Sequence, residues 1–348
     1  MKPTDAWAAP RRARSAAALA LLLAVTACGG EAASPTSETA GETIRNCDVD
    51  VPAANPPERV FATYQPALEM AHALGISDRL VGTAFLDATV LDEYADAQAD
   101  QEYYPSLPSL EELLSHEPDF VLSGFNGVFT AESLGTRASL RELGIESWIL
   151  SPLCPSADGR TDETIDPATV TMENVYADLR DLGTLFDERE RAEEVIADME
   201  GTLEEISLAL DGHVTEEGRP TVMIGRPGDQ GFRVAGGPDF STEIIDLAGG
   251  VNAFADLDEK RNHQVATEDV IARDPDFILI DVCCDAEMTS ADAASDIEQI
   301  MNDPALANLS AVTEDRVEGF TFADRSAGVR SASAAATIAR IIHADLFG

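Results

Sequence analysis

Lysine is almost missing from this chain of 348 residues: Lys2 and Lys260 are its only two, and 23 basic residues face 64 acidic ones, for a formal charge of −41. A surface so short of cations cannot neutralise phosphates, which excludes nucleic acid as a partner. Histidine is sparse too, five in all. His72, His116, His213, His263 and His343 fall in separate elements, with only His263 near a prospective cleft, whereas a receptor for a bare metal ion needs three or four converging His and carboxylate ligands. Enzyme signatures are lacking: no G-x-S-x-G elbow, H-E-x-x-H, S-x-x-K, Walker loop or G-x-G-x-x-G turn occurs, so no catalytic residue is expected. Cysteine chemistry at Cys154 or Cys283 would need a neighbouring His that the sequence does not supply. Long apolar runs are missing as well. Residues 16–25 form a run of ten, half of the roughly 20 that a membrane-spanning helix requires.

That short run has a specific setting. Lys2, Arg11, Arg12 and Arg14 precede it, and the small residues Thr26 and Ala27 follow before Cys28, the shape of a signal peptide over residues 1–27. The tetrapeptide Val25-Thr26-Ala27-Cys28 resembles the lipobox of bacterial lipoproteins, which implies a lipid on Cys28 and an anchored, extracytoplasmic protein. Residues 28–45 are small, polar and acidic, and are expected to be a flexible tether. About 300 residues remain, enough for two lobes with their own cores.

Four further cysteines accompany Cys28. Cys47 opens the folded region and Cys154 follows the last strand of the first half, which points to a bridge between them. Cys283 and Cys284 are adjacent, where a direct bridge is geometrically demanding, so their state stays open. A zinc site built from all four is the rival, but no C-x-x-C spacing supports it.

Short apolar runs at residues 60–64, 81–85, 120–124 and 147–150 alternate with helical or turn-rich sequence, and residues 221–225, 232–235, 277–281 and 317–320 repeat the pattern. Such alternation predicts an α/β fold of two lobes with central, largely parallel sheets. One element recurs in sequence: EELLSHEPDFVL at 111–122 aligns with EDVIARDPDFIL at 268–279, a constant offset of 157 (111 to 268). Each copy has an acidic helix start, an apolar face, a Pro that stops the helix and a buried strand. Between the halves, residues 188–210 place apolar side chains at 192, 195, 196, 199, 203, 206 and 210, the spacing of one long amphipathic helix that joins the lobes rigidly. Gly201 inside it suggests a bend. The expected organisation is therefore a first lobe over 46–186, a backbone helix over 187–212 and a second lobe over 213–348.

In this order, several short motifs resemble the helical-backbone class of ABC-importer receptors, the periplasmic-binding proteins for cobalamin and ferric siderophores. They are Pro57-Glu58-Arg59-Val60, Ala67-Leu68-Glu69, Ala73-Leu74-Gly75, Val81-Gly82, Leu143-Gly144-Ile145, residues 244–254 (IIDLAGGVNAF), the two Pro-Asp elements and Gly328-Val329-Arg330. The resemblance spans about residues 56–347. It implies a monomeric receptor that captures a ferric siderophore and passes it to an ABC permease dimer with its ATPase, with iron present only as part of the ligand and no resident cofactor or metal. It also implies that Glu111 and Glu268, at the start of the repeated helices, dock the permease; the competing reading is that they merely complement the helix dipole, and that Glu112 forms a capping box with Ser109. Hydroxamate chelates are favoured, since so acidic a surface slows anionic catecholates. Cobalamin, haem or a free metal ion stay open as ligands, and a surface sensor or a secreted enzyme as functions of another class.

Ligands of two-lobed α/β receptors sit between the lobes, beside strand ends. In the first lobe this singles out Tyr64, Gln65, Phe85, Tyr104, Phe125 and Asn126, whose rings offer rigid apolar area. In the second it singles out Arg226, Phe232, Arg233, Phe322, Arg325 and Arg330, whose guanidiniums match carboxylate or chelate oxygens.

Overall fold

A computed structural model describes residues 43–155, 165 and 167–347. The expected signal peptide, Cys28 and the tether as far as residue 42 lie outside the described residues. Residues 43–45, read from sequence as tether, instead belong to a hairpin of β1 (Thr43–Asn46) and β2 (Val49–Pro52). Its turn residues Cys47 and Asp48 both have positive φ, the twist that favours tight hairpins. A Cys47–Cys154 disulfide and a hydrogen bond from Asn46 Nδ2 to the Ile149 carbonyl (2.8 Å) pin it to the first lobe.

The first lobe is a parallel sheet in the order β5-β4-β3-β6-β7, formed by β3 (Val60–Thr63), β4 (Leu80–Ala84), β5 (Tyr103–Tyr104), β6 (Phe120–Ser123) and β7 (Glu146–Ile149). Its helices are α1 (Gln65–Ala73), α2 (Ala95–Ala99), α3 (Leu110–Ser115), α4 (Arg137–Glu142) and α5 (Met172–Leu185). Then comes α6 (Arg189–Leu210). The second lobe contains β8 (Thr221–Gly228), β9 (Gly231–Ala235), α7 (Ser241–Leu247), β10 (Val251–Asn252), β11 (Asn262–Val265), α8 (Thr267–Arg273), β12 (Phe277–Val282), α9 (Ala294–Asn302), α10 (Ser310–Thr313), β13 (Val317–Thr321) and α11 (Ser331–Ile342). Its strands run β11-β9-β8-β12-β13 with β10 beside β8, and β9 lies antiparallel to both its neighbours.

The repeated sequence element has the same job in both lobes. Leu113 of α3 and Val270 of α8 are fully buried, and each helix ends at a left-handed residue, Glu117 (φ 48°) or Asp274 (φ 43°), before the Pro. The Asp that follows pins the adjoining central strand. Asp119 accepts from the Glu58 and Arg59 N–H groups (2.9 and 3.0 Å) ahead of β3, and Asp276 accepts from the N–H and Oγ of Thr221 (both 2.8 Å) at the head of β8.

Helix α6 is continuous through Gly201, where a Cβ would meet open space. At 1.5 Å per residue it runs for about 33 Å. It buries Ala192, Val195, Ile196, Met199 and Ile206, packing on α1 and α5 of the first lobe and on α7 and α11 of the second. One apolar cluster therefore continues through it, from Met70 and Phe186 to Ile244 and Ile338.

Replacing Asp119 or Asp276 with Ala removes two strand-head hydrogen bonds at each site and should cost about 0.5–1.5 kcal/mol per bond, read by urea unfolding. A loss below about 0.5 kcal/mol at both sites would show that the pins carry no load.

Candidate ligand-binding cleft

Strand ends of the two lobes face each other across a cleft enclosing about 180 Å³, lined by Tyr64, Pro66, Phe85, Asp87, Gly124, Phe125 and Leu153 on one side and by Arg233, Arg261, Asn262, Cys283, Cys284, Phe322 and Ser326 on the other. The first-lobe wall is aromatic. The ring of Tyr64 lies 4.9 Å from that of Phe85 and 4.7 Å from that of Phe125, centroid to centroid. Tyr64 and Phe85 both adopt left-handed backbone (φ 67° and 64°), which costs a bulky residue about 1–3 kcal/mol and persists only where surrounding structure imposes it. Here the imposing contacts are Tyr64 N–H to the Ala84 carbonyl (2.8 Å) and Phe85 N–H to the Tyr104 carbonyl (2.9 Å).

The second-lobe wall carries Arg233, from β9, and Arg261, at the head of β11. Arg261 is 5 % exposed and lies 3.3 Å from Asp239. Behind them Arg325, fully buried, binds Asp239 (2.7 Å), Asp281 and Asn262 (2.9 Å), and its guanidinium stacks under Phe322 at 4.8 Å. Burial alone would raise Asp239, but Arg325 and Arg261 beside it hold its carboxyl down to about 2. Asp87 is the opposite case. Only 3 % exposed, it is pushed up to about 7 by burial, which the more distant Arg261, Arg330, Arg325 and Arg226 only partly offset.

Tyr64, Phe85, Phe125, Arg233 and Phe322 thus meet in the cleft as their strand-end positions suggested. The other residues singled out from sequence are withdrawn from it. Gln65 is fully buried and accepts the Asp87 and Ala88 N–H groups (3.0 and 3.2 Å), shaping the loop instead. Tyr104 donates to Glu102 and meets His116 (both 2.9 Å) at the lobe's edge. Asn126 donates to the Leu153 carbonyl (2.8 Å). Arg226 holds the Asp281 carbonyl (2.7 Å), and Phe232 is 4 % exposed in the second core. Arg325 is consumed by its carboxylates, and Arg330 binds Glu69 (2.7 Å) and Asp324 (2.8 Å). Sequence reasoning missed Asp87 and the cysteine pair, in loops where the lobes meet, and Arg261 and Asn262, at the start of β11. Cys283 and Cys284 are joined directly to each other.

A rigid two-lobed receptor with a cleft between its sheets is what fold and site define. The chain belongs to the periplasmic binding protein family, whose profile matches residues 60–320. It is similar to the vitamin B12-binding protein of Pectobacterium atrosepticum, 25% identical over 229 residues, which cover 64% of this chain and 71% of that protein. Among solved structures it resembles a periplasmic binding protein from Veillonella parvula (TM-score 0.75, 24% identity, covering 87% of this chain and 97% of that one). It also resembles an ABC-type Fe3+-hydroxamate transport system structure from Saccharomonospora viridis (TM-score 0.67, 24% identity, 88% and 99% covered). Membership makes the chain a binding protein rather than an enzyme, working outside the cytoplasm. No helix among the described residues is long and apolar enough to cross a membrane.

The raised Asp87 carboxyl sets a pH dependence. The fold keeps a proton there that the unfolded chain loses near its ordinary value, so this group's contribution to stability falls as pH rises from about 4 to about 7. Asp87→Asn should match the parent near pH 4 and exceed it by roughly 2–4 kcal/mol at pH 8, measured by denaturant unfolding; equal stability at pH 8 would show that the carboxylate is not costly there.

Proposed function

We propose that the chain is the substrate-binding lipoprotein of an ABC importer, and that it captures a ferric siderophore of hydroxamate type in the cleft and hands it to a membrane permease. The observation that carries this reading is the pairing of an aromatic wall (Tyr64, Phe85, Phe125) with arginines (Arg233, Arg261) on the facing lobe. Flat apolar rings take the organic backbone of a chelate, and guanidiniums take the oxygens that bind its iron. Ligand pockets generally hold about 300–1,000 Å³, more than the 180 Å³ enclosed here, so a chelate would be gripped by one face while the rest stands in solvent. The acidic exterior favours neutral over anionic chelates, and the Fe3+-hydroxamate name of one structural neighbour agrees. Cobalamin is the second reading, favoured by the B12-binding relative. No resident cofactor is needed; the iron is cargo.

Trp148 is fully buried and donates to Asp178 (3.0 Å) in the first-lobe core, so calorimetry suits the test better than tryptophan quenching. The chain titrated with ferrioxamine, a ferric catecholate, haem and cobalamin should bind the hydroxamate most tightly, and Arg233→Ala should weaken it tenfold or more, about 1.4 kcal/mol. Binding of none of the four would sink the receptor reading, and preference for cobalamin would move it to the second.

Delivery is read from Glu111 and Glu268. Each is the second residue of its repeated helix and exposed, and among the described residues neither carboxylate has a hydrogen bond or ion pair. The N-terminal turns are capped without them: Ser109 Oγ accepts the Glu112 N–H (3.2 Å), and Asp269 accepts the Ala266 N–H (3.1 Å). That supports a role as contacts for permease cations. A lipid on Cys28 with its acidic tether would hold the monomeric receptor near that permease and raise its effective concentration. Reversing both Glu111 and Glu268 to Lys should abolish uptake by cells while leaving chelate affinity in solution intact; undiminished uptake would remove the docking role.

A further inference from the structure

The cleft holds one group that capture of a chelate does not use. Cys283 and Cys284 follow β12 and are joined to each other, with Cys284 exposed and Cys283 half-buried. Their loop is also one of the places where the lobes touch. Cys284 N–H donates to the Asp87 carbonyl and Thr89 N–H to the Met288 carbonyl, both at 2.9 Å, while Ala286 packs against the first-lobe cluster of Ala62, Leu68 and Leu86. Residues 284–288 of the second lobe are thus laid along 87–89 of the first, and Cys284 holds left-handed backbone there (φ 85°).

Thiol–disulfide exchange needs an accessible sulfur to attack and a leaving sulfur whose thiolate is stabilised. Both are present and distinguishable. Cys284 Sγ is the exposed partner, and Arg226 Nη1 lies 3.6 Å from Cys283 Sγ, where a guanidinium favours thiolate over thiol. The second disulfide is less open, since Cys154 is only 9 % exposed. A divalent cation shared by Asp87, Cys283 and Cys284, whose donor atoms lie within 4.8 Å of one another, is opposed by the oxidised state of both sulfurs and by the guanidiniums around Asp87.

We propose that Cys283–Cys284 is a thiol–disulfide exchange site opened by a dithiol reductant, and that its redox state sets how firmly residues 284–288 hold the first lobe and so how the cleft holds its ligand. A thiolate of the reductant attacks Cys284 Sγ; the Cys283–Cys284 bond breaks, and Cys283 departs as a thiolate facing Arg226. The reductant's second thiolate then attacks its own sulfur in the mixed disulfide and releases Cys284. The reductant leaves as a disulfide, having given two electrons, and the two protons of its thiols end on Cys283 and Cys284. Opening frees the 283–284 turn from its covalent ring, so the Cys284 N–H is no longer held against Asp87. Only the consequence for ligand rests on the receptor reading; the exchange chemistry and the latch do not.

The test uses the whole chain in graded dithiothreitol, with free thiols alkylated and mapped by mass spectrometry. Cys283 and Cys284 should open at a dithiol concentration at least tenfold below that for Cys47 and Cys154. Arg226→Gln should slow opening about tenfold, and Arg226→Lys should largely restore it. Amide hydrogen exchange in residues 86–90 and 284–289 should quicken at least tenfold on opening, and equally in Cys283→Ala/Cys284→Ala, while α6 is unchanged. Opening of both bridges together, an unaltered rate in Arg226→Gln, or unchanged exchange after opening would each overturn the proposal. Failure of every chelate to bind in either redox state would instead defeat the receptor reading and leave these results standing.

Discussion

The separation of the two cleft walls depends on a buried ion pair between the lobes. Glu69, on α1 of the first lobe, is fully buried, and Arg330, at the head of α11 in the second, is 6 % exposed; Nε of the arginine lies 2.7 Å from the carboxylate. An unpaired charge at such depth costs several kcal/mol, so parting the partners is far less favourable than keeping them. Each also has duties on its own side or across the gap. Arg330 donates to the Thr89 carbonyl (3.0 Å) and to Asp324 (2.8 Å), and Glu69 accepts the Leu91 N–H (3.1 Å) and Gln65 Nε2 (2.9 Å). Gln65 in turn orders the loop that carries Asp87. The pair therefore fixes the lobes and, through Gln65, one wall of the cleft.

Arginine suits such buried junctions better than lysine would. A point charge on a flexible stem would satisfy one carboxylate, whereas the planar fork of Arg325 serves Asp239, Asp281 and Asn262 together. It explains where reasoning from sequence went astray. Arginines near strand ends of the second lobe were legible as a set, but only tertiary structure decides which of them spend their donors on buried carboxylates. Arg325 and Arg330 do.

The fold was more legible than the site, for a physical reason. Strands β3, β4, β6, β7, β8, β9, β12 and β13 each have at least half of their residues buried, so they read as apolar runs. Strand β11 (NHQV) and the two-residue β5 and β10 have too little apolar sequence to stand out. Tyr64 and Phe85 directly follow strands, Phe125 comes two residues after β6, and all three were found by that rule. Applied to the second copy of the repeat, the same rule leads from Phe125 by the offset of 157 to Val282 and its neighbours Cys283 and Cys284. Asp87, Arg261 and Asn262 gave no such signal. Asp87 lies in a connecting segment and Arg261 and Asn262 at the start of the weakly apolar β11, and their positions are set by contacts far apart in sequence, among them Asp87 with Cys284 and Arg261 with Asp239.

Strain and rigidity belong together here. Tyr64, Phe85 and Cys284 all line the cleft and all have left-handed backbone, a concentration of unfavourable geometry that the rest of the fold must offset. What it provides is side chains already in place, so that little conformational entropy is lost when a ligand arrives. Flexible lobes would waste that arrangement. The continuous helix α6 and the apolar cluster running through it keep the lobes from swinging widely, and the contacts at residues 87–89 hold one stretch where they meet beside the cleft. Walls set in this way leave little to be ordered in the cleft, and any widening of it has to part the contacts between residues 87–89 and 284–288.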